Sequence, residues 1–374
     1  MQPYNVEVFD RDFNFIHNYT IEEFEYNEDY LTLPETTIFM SYNPNVTRGC
    51  YITVFNNKER YSGVITTVTI SANYNGYMNV GFKSFIAMLN ASRFLDVAYI
   101  NTYAQTHSLE SYIYENIKYL YIDGLTYNGE IYGEIDTDLI IPGLEISLIS
   151  NTLNWSIGLY RQSEGYLIDY QKVSYIDDLI IPAMKLYQIG CYVEFDFKLK
   201  KIKMKIGKKT NTPKVVETSL PNVYNTVLAQ KDTANDVNTV DLAMTVSDES
   251  WNFTWYKNIH GEWSGNIEDR SLPVVYDQME IQGYNMQTGQ IGQSVYDMLV
   301  EHYGGSNKDN NSVELTVNND DPLATMFNLG DSAEIIINDT VYTSIYTGKT
   351  KAKTTTLIFG TQRMDLTKIL KRRI

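Results

Sequence analysis

The chain has 374 residues, a formal net charge of −16 and two cysteines, Cys50 and Cys191. The length allows about two to four domains, and the acidic charge argues against a nucleic-acid-binding protein, because phosphates bind to basic surfaces. The cysteines have no CxxC partner, which argues against a disulfide framework or a cysteine-based zinc site, and no apolar run approaches the roughly 20 residues that span a bilayer.

Residues 1–80 are predicted to form a small barrel-like β domain. Apolar and polar residues alternate through this region, as in the segment 61–70, and turn residues such as those at 43–45 separate the runs. The chain carries 31 tyrosines, many at alternating positions where an amphipathic ring can cover a half-buried sheet face. This composition is typical of a protein with large sheet or contact surfaces.

A mixed α+β domain is predicted over residues 81–215, with its first helix at 83–90. Ser174 and Asp177 have the spacing of a capping box and begin another helix, which Pro182 is expected to interrupt or kink. The clearest helix has Ser108 as its N-cap and a single apolar stripe. That stripe is formed by Leu109, Tyr112, Ile113, Asn116, Ile117 and Leu120.

Residues 191–207 predict a β-hairpin, because the alternation of apolar residues breaks and resumes at Lys200 and Lys201. The lysines between positions 198 and 209 then lie on its outer face. Such a run can dock an acidic partner, but we favour an exposed hairpin edge on which lysine prevents unwanted strand pairing.

The remaining chain is predicted to be mostly β. Residues 216–270 form a connecting β segment, and residues 271–360 form a second barrel-like domain. A helix is expected to begin at Ser294 and to end at the glycine pair 304–305. Residues 361–374 form a basic C-terminal tail that is predicted to be helical. The fold class is therefore α+β and mainly β, with two small barrel-like modules related by pseudo-symmetry and α+β insert domains.

Two stretches nearly three hundred residues apart have the pattern of the same β-hairpin, residues 49–61 and 330–342. Each begins at glycine, continues through an apolar strand, turns at asparagine and resumes at tyrosine. At a constant offset of 281 residues the identical pairs are Gly49 with Gly330, Asn57 with Asn338, Tyr61 with Tyr342, Thr66 with Thr347 and Thr69 with Thr350. Five identities do not establish a repeat, but they predict that one module is built twice.

Segments at both ends and in the middle of the chain resemble the hub of siphophage tail tips, the tail-associated or Tal protein. The segments are 329–346 with 357–360, the tail 366–371, 195–202 and 61–65. The likeness is greatest to the compact hubs of lactococcal-type siphophages. It implies a fold related to the central hub of contractile-tail baseplates.

The resemblance implies a structural virion protein of the tail tip, or baseplate, that acts in host cell entry and DNA ejection. The hub would form a homotrimer, close the distal end of the tail tube and seat on a hexameric distal tail protein. Two similar modules in each of three chains give six similar faces, which suits a sixfold partner. The resemblance also implies contact with the end of the tape-measure protein, and receptor-binding proteins are further possible partners.

The expected location is the virion tail tip, after assembly in the host cytoplasm, because residues 1–7 lack the basic and apolar regions of a secretory signal. DNA would pass through the hub without specific binding. Acidic walls in a narrow lumen discourage phosphate adhesion, although the net charge can equally serve solubility.

Catalytic motifs are absent from the sequence. It contains no HExxH, no GxSxG and no GxGxxG, and the string Gly348-Lys349-Thr350 lacks the upstream glycine of a phosphate-binding loop. His260 and Glu262 could imitate half of a metallopeptidase site, but a polar loop cluster is the better interpretation. We therefore expect no enzymatic activity, no catalytic residues and no cofactor.

A weak calcium candidate lies at Glu134, Asp136 and Asp138. In an extended chain these carboxylates project from one face, and grouped carboxylates can hold calcium. A solvated strand face is the alternative that we favour.

Two functions from other classes stay open. One is a tail-associated peptidoglycan hydrolase, since longer members of the family carry C-terminal modules with such activity. The other is a saccharide-binding adhesin for host recognition, in which Trp251, Trp255 or Trp263 would stack on sugar rings.

Overall fold

We describe a computed structural model of the chain. The structure describes residues 3–70, 76–96, 100, 103–104, 106–128, 131–153, 155, 170–219, 221–229, 237–246, 249–258, 261–272, 274–282, 295–296, 299, 303 and 312–360. The predicted fold class is confirmed, since the chain is mainly β with two half-barrel sheets. None of the helices in these ranges is long and apolar enough to cross a membrane.

The first module is a six-stranded antiparallel sheet near the N-terminus. Its strands are β1 (Tyr4–Phe9), β2 (Phe15–Ile21), β4 (Thr36–Ser41), β5 (Tyr51–Phe55), β6 (Arg60–Ile70) and β7 (Tyr77–Lys83), in the spatial order β2-β1-β5-β6-β7-β4. Burial alternates along β4 as the sequence pattern predicts. The buried face forms a core around Val6, Val8, Ile52, Val54, Met78 and Val80. The strand between β2 and β4 in the sequence, β3 (Tyr26–Asp29), belongs to another sheet.

The middle of the chain packs its helices against a short sheet. This region contains seven strands in three sheets, β8 (Ser92–Asp96), β9 (Leu125–Asn128), β10 (Ile131–Ile135), β11 (Leu144–Leu148), β12 (Tyr170–Ser174), β13 (Gly190–Asp196) and β14 (Lys201–Gly207). The strand β14 lies between β13 and β11, so it is not the edge strand that its lysines predict. The strands β8 and β12 form one separate pair, and β9 and β10 form another.

The helices agree with the sequence pattern in part. Helix α1 (Leu109–Tyr121) begins where predicted, and the Ser108 side chain accepts a hydrogen bond from the Ser111 amide. The predicted helix at 83–90 is only a 3₁₀ turn, Phe85–Met88. After Ser174, a π-helical turn (Tyr175–Ile180) continues into α2 (Ile181–Tyr187). The helix changes from π to α at Ile181, next to Pro182, so the proline does not end the helix.

The second module is a seven-stranded sheet. Six strands come from the C-terminal half, and they lie in the order β15-β22-β23-β24-β21-β16. They are β15 (Lys214–Glu217), β16 (Val223–Ala229), β21 (Ser312–Val317), β22 (Ser332–Ile337), β23 (Thr340–Lys351) and β24 (Thr355–Phe359). The seventh strand is β3, which pairs with β23. A 3₁₀ turn, Pro322–Thr325, follows β21.

A separate four-stranded sheet interrupts the second module in sequence. It contains β17 (Thr239–Val246), β18 (Glu249–Lys257), β19 (Trp263–Ser264) and β20 (Tyr276–Gln282), in the order β19-β18-β17-β20, with a 3₁₀ turn at Ile267–Asp269. The second module therefore takes strands from both sides of this sheet. The domain boundaries given above stay a prediction. Most of the predicted helix from Ser294 and the whole tail at 361–374 lie outside the described residues.

The two hairpins found in the sequence have the same strand pairing. Val54 lies opposite Tyr61 in β5–β6, and Ile335 lies opposite Tyr342 in β22–β23, at the offset of 281 residues. The next strand pairing, β6–β7, shifts register between Ile65 and Thr67, and β23–β24 shifts at the equivalent Tyr346 and Gly348. The flanking strands match as well, since β4 pairs with β7 as β21 pairs with β24. A module of four strands is therefore built twice.

The glycine that begins each hairpin has the same backbone conformation and the same hydrogen bond. Gly49 has φ of 92° and Gly330 has φ of 80°. The Gly49 amide donates to the Ile65 carbonyl oxygen at 2.8 Å, and the Gly330 amide donates to the equivalent oxygen of Tyr346 at 2.8 Å. Both positions favour glycine, because side chains rarely adopt this left-handed backbone. Their surroundings differ, since a Cβ at Gly330 would overlap the Tyr192 ring.

We expect alanine at the two glycines to separate backbone strain from packing. Gly49→Ala should cost about 1 kcal/mol of unfolding free energy, because only the left-handed backbone opposes it. Gly330→Ala should cost at least about 2 kcal/mol, because Tyr192 must also move. Urea denaturation of both variants measures the difference. Equal losses would contradict the close packing of Tyr192 on Gly330.

Candidate assembly interface

The strand β3 joins the two modules. It comes from the loop between β2 and β4 of the first module, yet it pairs antiparallel with β23 of the second, with Asp29 opposite Gly348 and Tyr26 opposite Lys351. The Tyr30 amide extends the ladder by donating to the Thr347 carbonyl oxygen at 3.0 Å. The first module therefore contributes a strand to the second sheet, while its own sheet contains six strands without β3.

Gly348 lets β3 approach. A Cβ at this position would overlap the Glu28 carbonyl oxygen and press on the Asp29 backbone. The absence of a side chain is therefore a requirement of the pairing, since a larger residue would displace the strand.

A buried polar cluster lies beside this strand pair. Lys351 makes an ion pair with Glu59, and both side chains are mostly buried. The Lys351 ammonium also donates to the Tyr4 hydroxyl at 2.6 Å, and Tyr4 and Tyr61 both donate to the Glu59 carboxylate. A buried ion pair gains little unless its remaining donors and acceptors are satisfied. The tyrosine hydroxyls provide that satisfaction here, so the cluster fixes how the two modules meet.

A second charged pair lies one register step away. Lys349 is buried with its ammonium 4.7 Å from the centre of the Tyr61 ring. Burial raises the pKa of Glu28, and the Lys349 ammonium opposes that rise. Burial also lowers the pKa of Lys349, and the Glu28 carboxylate opposes that change. Each charge therefore offsets the desolvation of the other.

Asp331 connects the second module to the middle of the chain. Its carboxylate accepts hydrogen bonds from Lys214 at 2.6 Å, Asn211 at 3.0 Å and Lys209 at 3.3 Å. The Asn328 amide donates to it at 3.0 Å. Burial alone would raise the pKa of Asp331, but the hydrogen bond from Lys214 and the other donors hold it below its usual value. Asp331 thus anchors the segment that leads into β15.

The calcium candidate does not form an extended row. Glu134 lies in β10, which ends at Ile135, and the following residues turn so that the Asp138 amide donates to the Asp136 carboxylate at 3.0 Å. Within the described ranges, no three His, Cys, Asp or Glu side chains are grouped so that they could hold a metal ion. Calcium binding stays a prediction that this geometry does not support.

The other candidate residues are dispersed. His260 and the side chain of Trp251 lie outside the described residues, while Trp263 is buried in the core of the four-stranded sheet and Trp255 packs against it. Some lysines of the run at 198–209 form ion pairs with acidic residues of this chain, such as Lys203 with Asp196 at 3.2 Å. Both cysteines are free and buried. Burial raises the pKa of Cys191 to about 12, as suits an inert thiol.

The sequence pattern did not identify the residues at which the two modules meet. Lys349 and Lys351 alternate with threonine, which predicts a solvated strand face, although both are buried. Glu59 has the appearance of an ordinary turn residue. The one available signal was the hairpin repeat, which marks the two modules but not the contact between them.

We expect Asp331→Asn to lower the unfolding free energy by about 2 kcal/mol, because two partly buried lysines lose their anionic partner. The charged state stabilises the fold above the ordinary pKa of about 4, and that contribution is lost as the solution becomes more acidic. Thermal unfolding at pH 7 and pH 3 measures both effects.

The matched control for that variant is Asp320→Asn. Asp320 pairs with Lys58 at 3.3 Å, but its side chain is 94% exposed. We expect no measurable change, because exposed ion pairs contribute little. Equal effects at the two positions would contradict the anchoring role of Asp331.

Comparison with known proteins identifies solved structures of similar fold. No family model matches the sequence, and no curated protein matches it. The tail protein from Neisseria meningitidis MC58 superposes with a TM-score of 0.50 at 9% identity, over 96% of each chain. The 43 kDa tail protein of prophage MuSo2 from Shewanella oneidensis gives a TM-score of 0.48 at 9% identity, over 96% of this chain and 98% of that one.

A chain of the phage P2 baseplate in its activated conformation gives a TM-score of 0.48 at 10% identity, over 97% of this chain and 100% of that one. The likeness to the Neisseria tail protein extends over nearly the whole of both chains. The chain therefore has the fold of that tail protein, as its sequence resemblance to tail-tip hubs predicts.

Proposed function

We propose that this protein is the structural hub of a phage tail tip. It forms a homotrimer, closes the distal end of the tail tube and adapts the tube to a hexameric distal tail protein. The observation that carries this proposal is the repeated module, whose two copies share strand register, the shift in that register and the glycine at the start of the hairpin.

Symmetry connects the repeat to the function. Three chains with two equivalent modules present six similar faces, which a threefold object needs in order to match a sixfold ring. The buried contact between the modules supports this proposal, because it holds them in one fixed relation. The tape-measure protein end and receptor-binding proteins are the further partners that we propose.

The hub forms the exit for DNA during infection. A net charge of −16 suits a wall that DNA passes without adhering. We propose that the role is structural and not enzymatic, in a virion protein located at the tail tip. The fold shared with a tail protein supports this proposal, and no contact among the described residues favours the hydrolase or the adhesin.

Native mass spectrometry of the purified chain, alone and with the distal tail protein, tests the proposal. We expect the mass of three chains, and a complex of three chains with six copies of the distal tail protein. A chain that stays monomeric at high concentration would refute the proposal. A clearing zone in a peptidoglycan zymogram would favour the hydrolase instead.

A further inference from the structure

Each module has a hairpin tip and a groove, and one tip is seated in one groove within the chain. The first tip, residues 57–61, contacts the second groove, which is formed by residues 319–325 and 347–351. Lys58 pairs with Asp320 at 3.3 Å, Glu59 pairs with Lys351, and Tyr61 lies under the Lys349 ammonium. Tyr61 is only 5% exposed, and the rings of Phe24 and Tyr26 also pack against it.

The equivalent groove of the first module is open. The strand registers place residues 66–70 where the second groove has its wall of residues 347–351, and residues 42–48 follow β4 as residues 319–325 follow β21. This first groove has a volume of about 510 Å³, and Tyr42, Pro44, Arg48, Val68 and Ile70 line it. Ile70 is 62% exposed, although Lys351 at the equivalent position is buried.

The equivalent tip of the second module is uncovered. This second tip comprises residues 338–341, of which Asn338, Asp339 and Thr340 are exposed and Val341 is 56% exposed. The chain therefore carries one groove and one tip that lack the contact made by their equivalents.

We propose that the second tip of one copy of this chain binds the first groove of the next copy. The contact is heterologous, since a tip meets a groove, and repetition of such a contact closes a ring when the rotation allows it. This inference rests on the proposed function, because a closed ring of three copies alternates the internal contact with the new one. The two surfaces in contact are the second tip of one copy and the first groove of the next.

The equivalence assigns facing residues across the new contact. Ile70 meets Thr340 where Lys351 meets Glu59. The ion pair within the chain is thus replaced, between copies, by a contact of Ile70 with the uncharged Thr340. Charge is complementary at the rim, since the first groove carries Arg48 and the second tip carries Asp339.

The new contact is made by side chains without an added strand. In the second module, β3 lies against Gly348, where a Cβ would overlap it. Thr67 occupies the equivalent position in the first module, and its hydroxyl donates to the Glu35 carboxylate at 2.7 Å. A strand cannot approach Thr67 as β3 approaches Gly348. The groove therefore remains free for the hairpin tip.

Four versions of the full chain test the inference: the wild type, Ile70→Lys, Thr340→Glu and the double variant. Ile70→Lys should weaken the trimer at least about tenfold, because it places an unpaired charge in a contact between uncharged side chains. Thr340→Glu should also weaken it. The double variant should recover trimers, because it recreates the Lys351–Glu59 pair between copies. Sedimentation velocity over a concentration series measures the association.

Leu272→Lys is the matched control, since Leu272 is 77% exposed and follows the 3₁₀ turn after β19. It should leave the trimer intact, and circular dichroism should show every variant folded, because the changed residues are exposed. A wild-type trimer that Ile70→Lys leaves unchanged, or a double variant no better than the single ones, would overturn this inference alone. A monomeric wild type would overturn the proposed function as well.

Discussion

The pairing of β3 with β23 is the constraint on which the arrangement of the modules depends. A strand from the first module completes the second sheet, and Gly348 is the position that permits its approach. Backbone hydrogen bonds fix the register, so the side chains on either side must be compatible with it. The buried cluster of Lys351, Glu59 and two tyrosines follows from that register. Sheet pairing places these groups together, and their mutual hydrogen bonds offset the desolvation that burial imposes.

The two modules retain the same backbone and differ in their side chains. Gly49 and Gly330 begin their hairpins with the same left-handed backbone, and the register shifts at equivalent positions. The contact surfaces have diverged, since Lys349 and Lys351 occupy the places of Val68 and Ile70. A repeated backbone with different surfaces allows two geometrically similar contacts to have different chemistry. One of them joins modules within a chain, and the other is available to a second chain.

Local patterns predicted the parts of the fold that local interactions determine. The N-cap at Ser108 and the apolar stripe of helix α1 specify that helix, and the repeat of glycine, asparagine and tyrosine specified both hairpins. Tertiary pairing determined the rest. Strands distant in sequence determine the pairing of β3 with β23 and the central place of β14. They also determine the burial of Lys349 and Lys351. No periodicity within a window of residues records such partners. For the same reason, the sequence did not identify the residues at the contact between the two modules.

The pairing of β3 with the distant β23 affects how the chain folds during synthesis. Asn27 and Thr350 hydrogen-bond across a separation of 323 residues, so their contact must wait until Thr350 has emerged from the ribosome. Closing so long a loop makes such pairings slow and leaves strand edges transiently open to aggregation. A nascent chain halted before β23 would hold its first module with one segment unpaired. Folding during synthesis can therefore begin with the first module, but it is completed only after β23 has been synthesised.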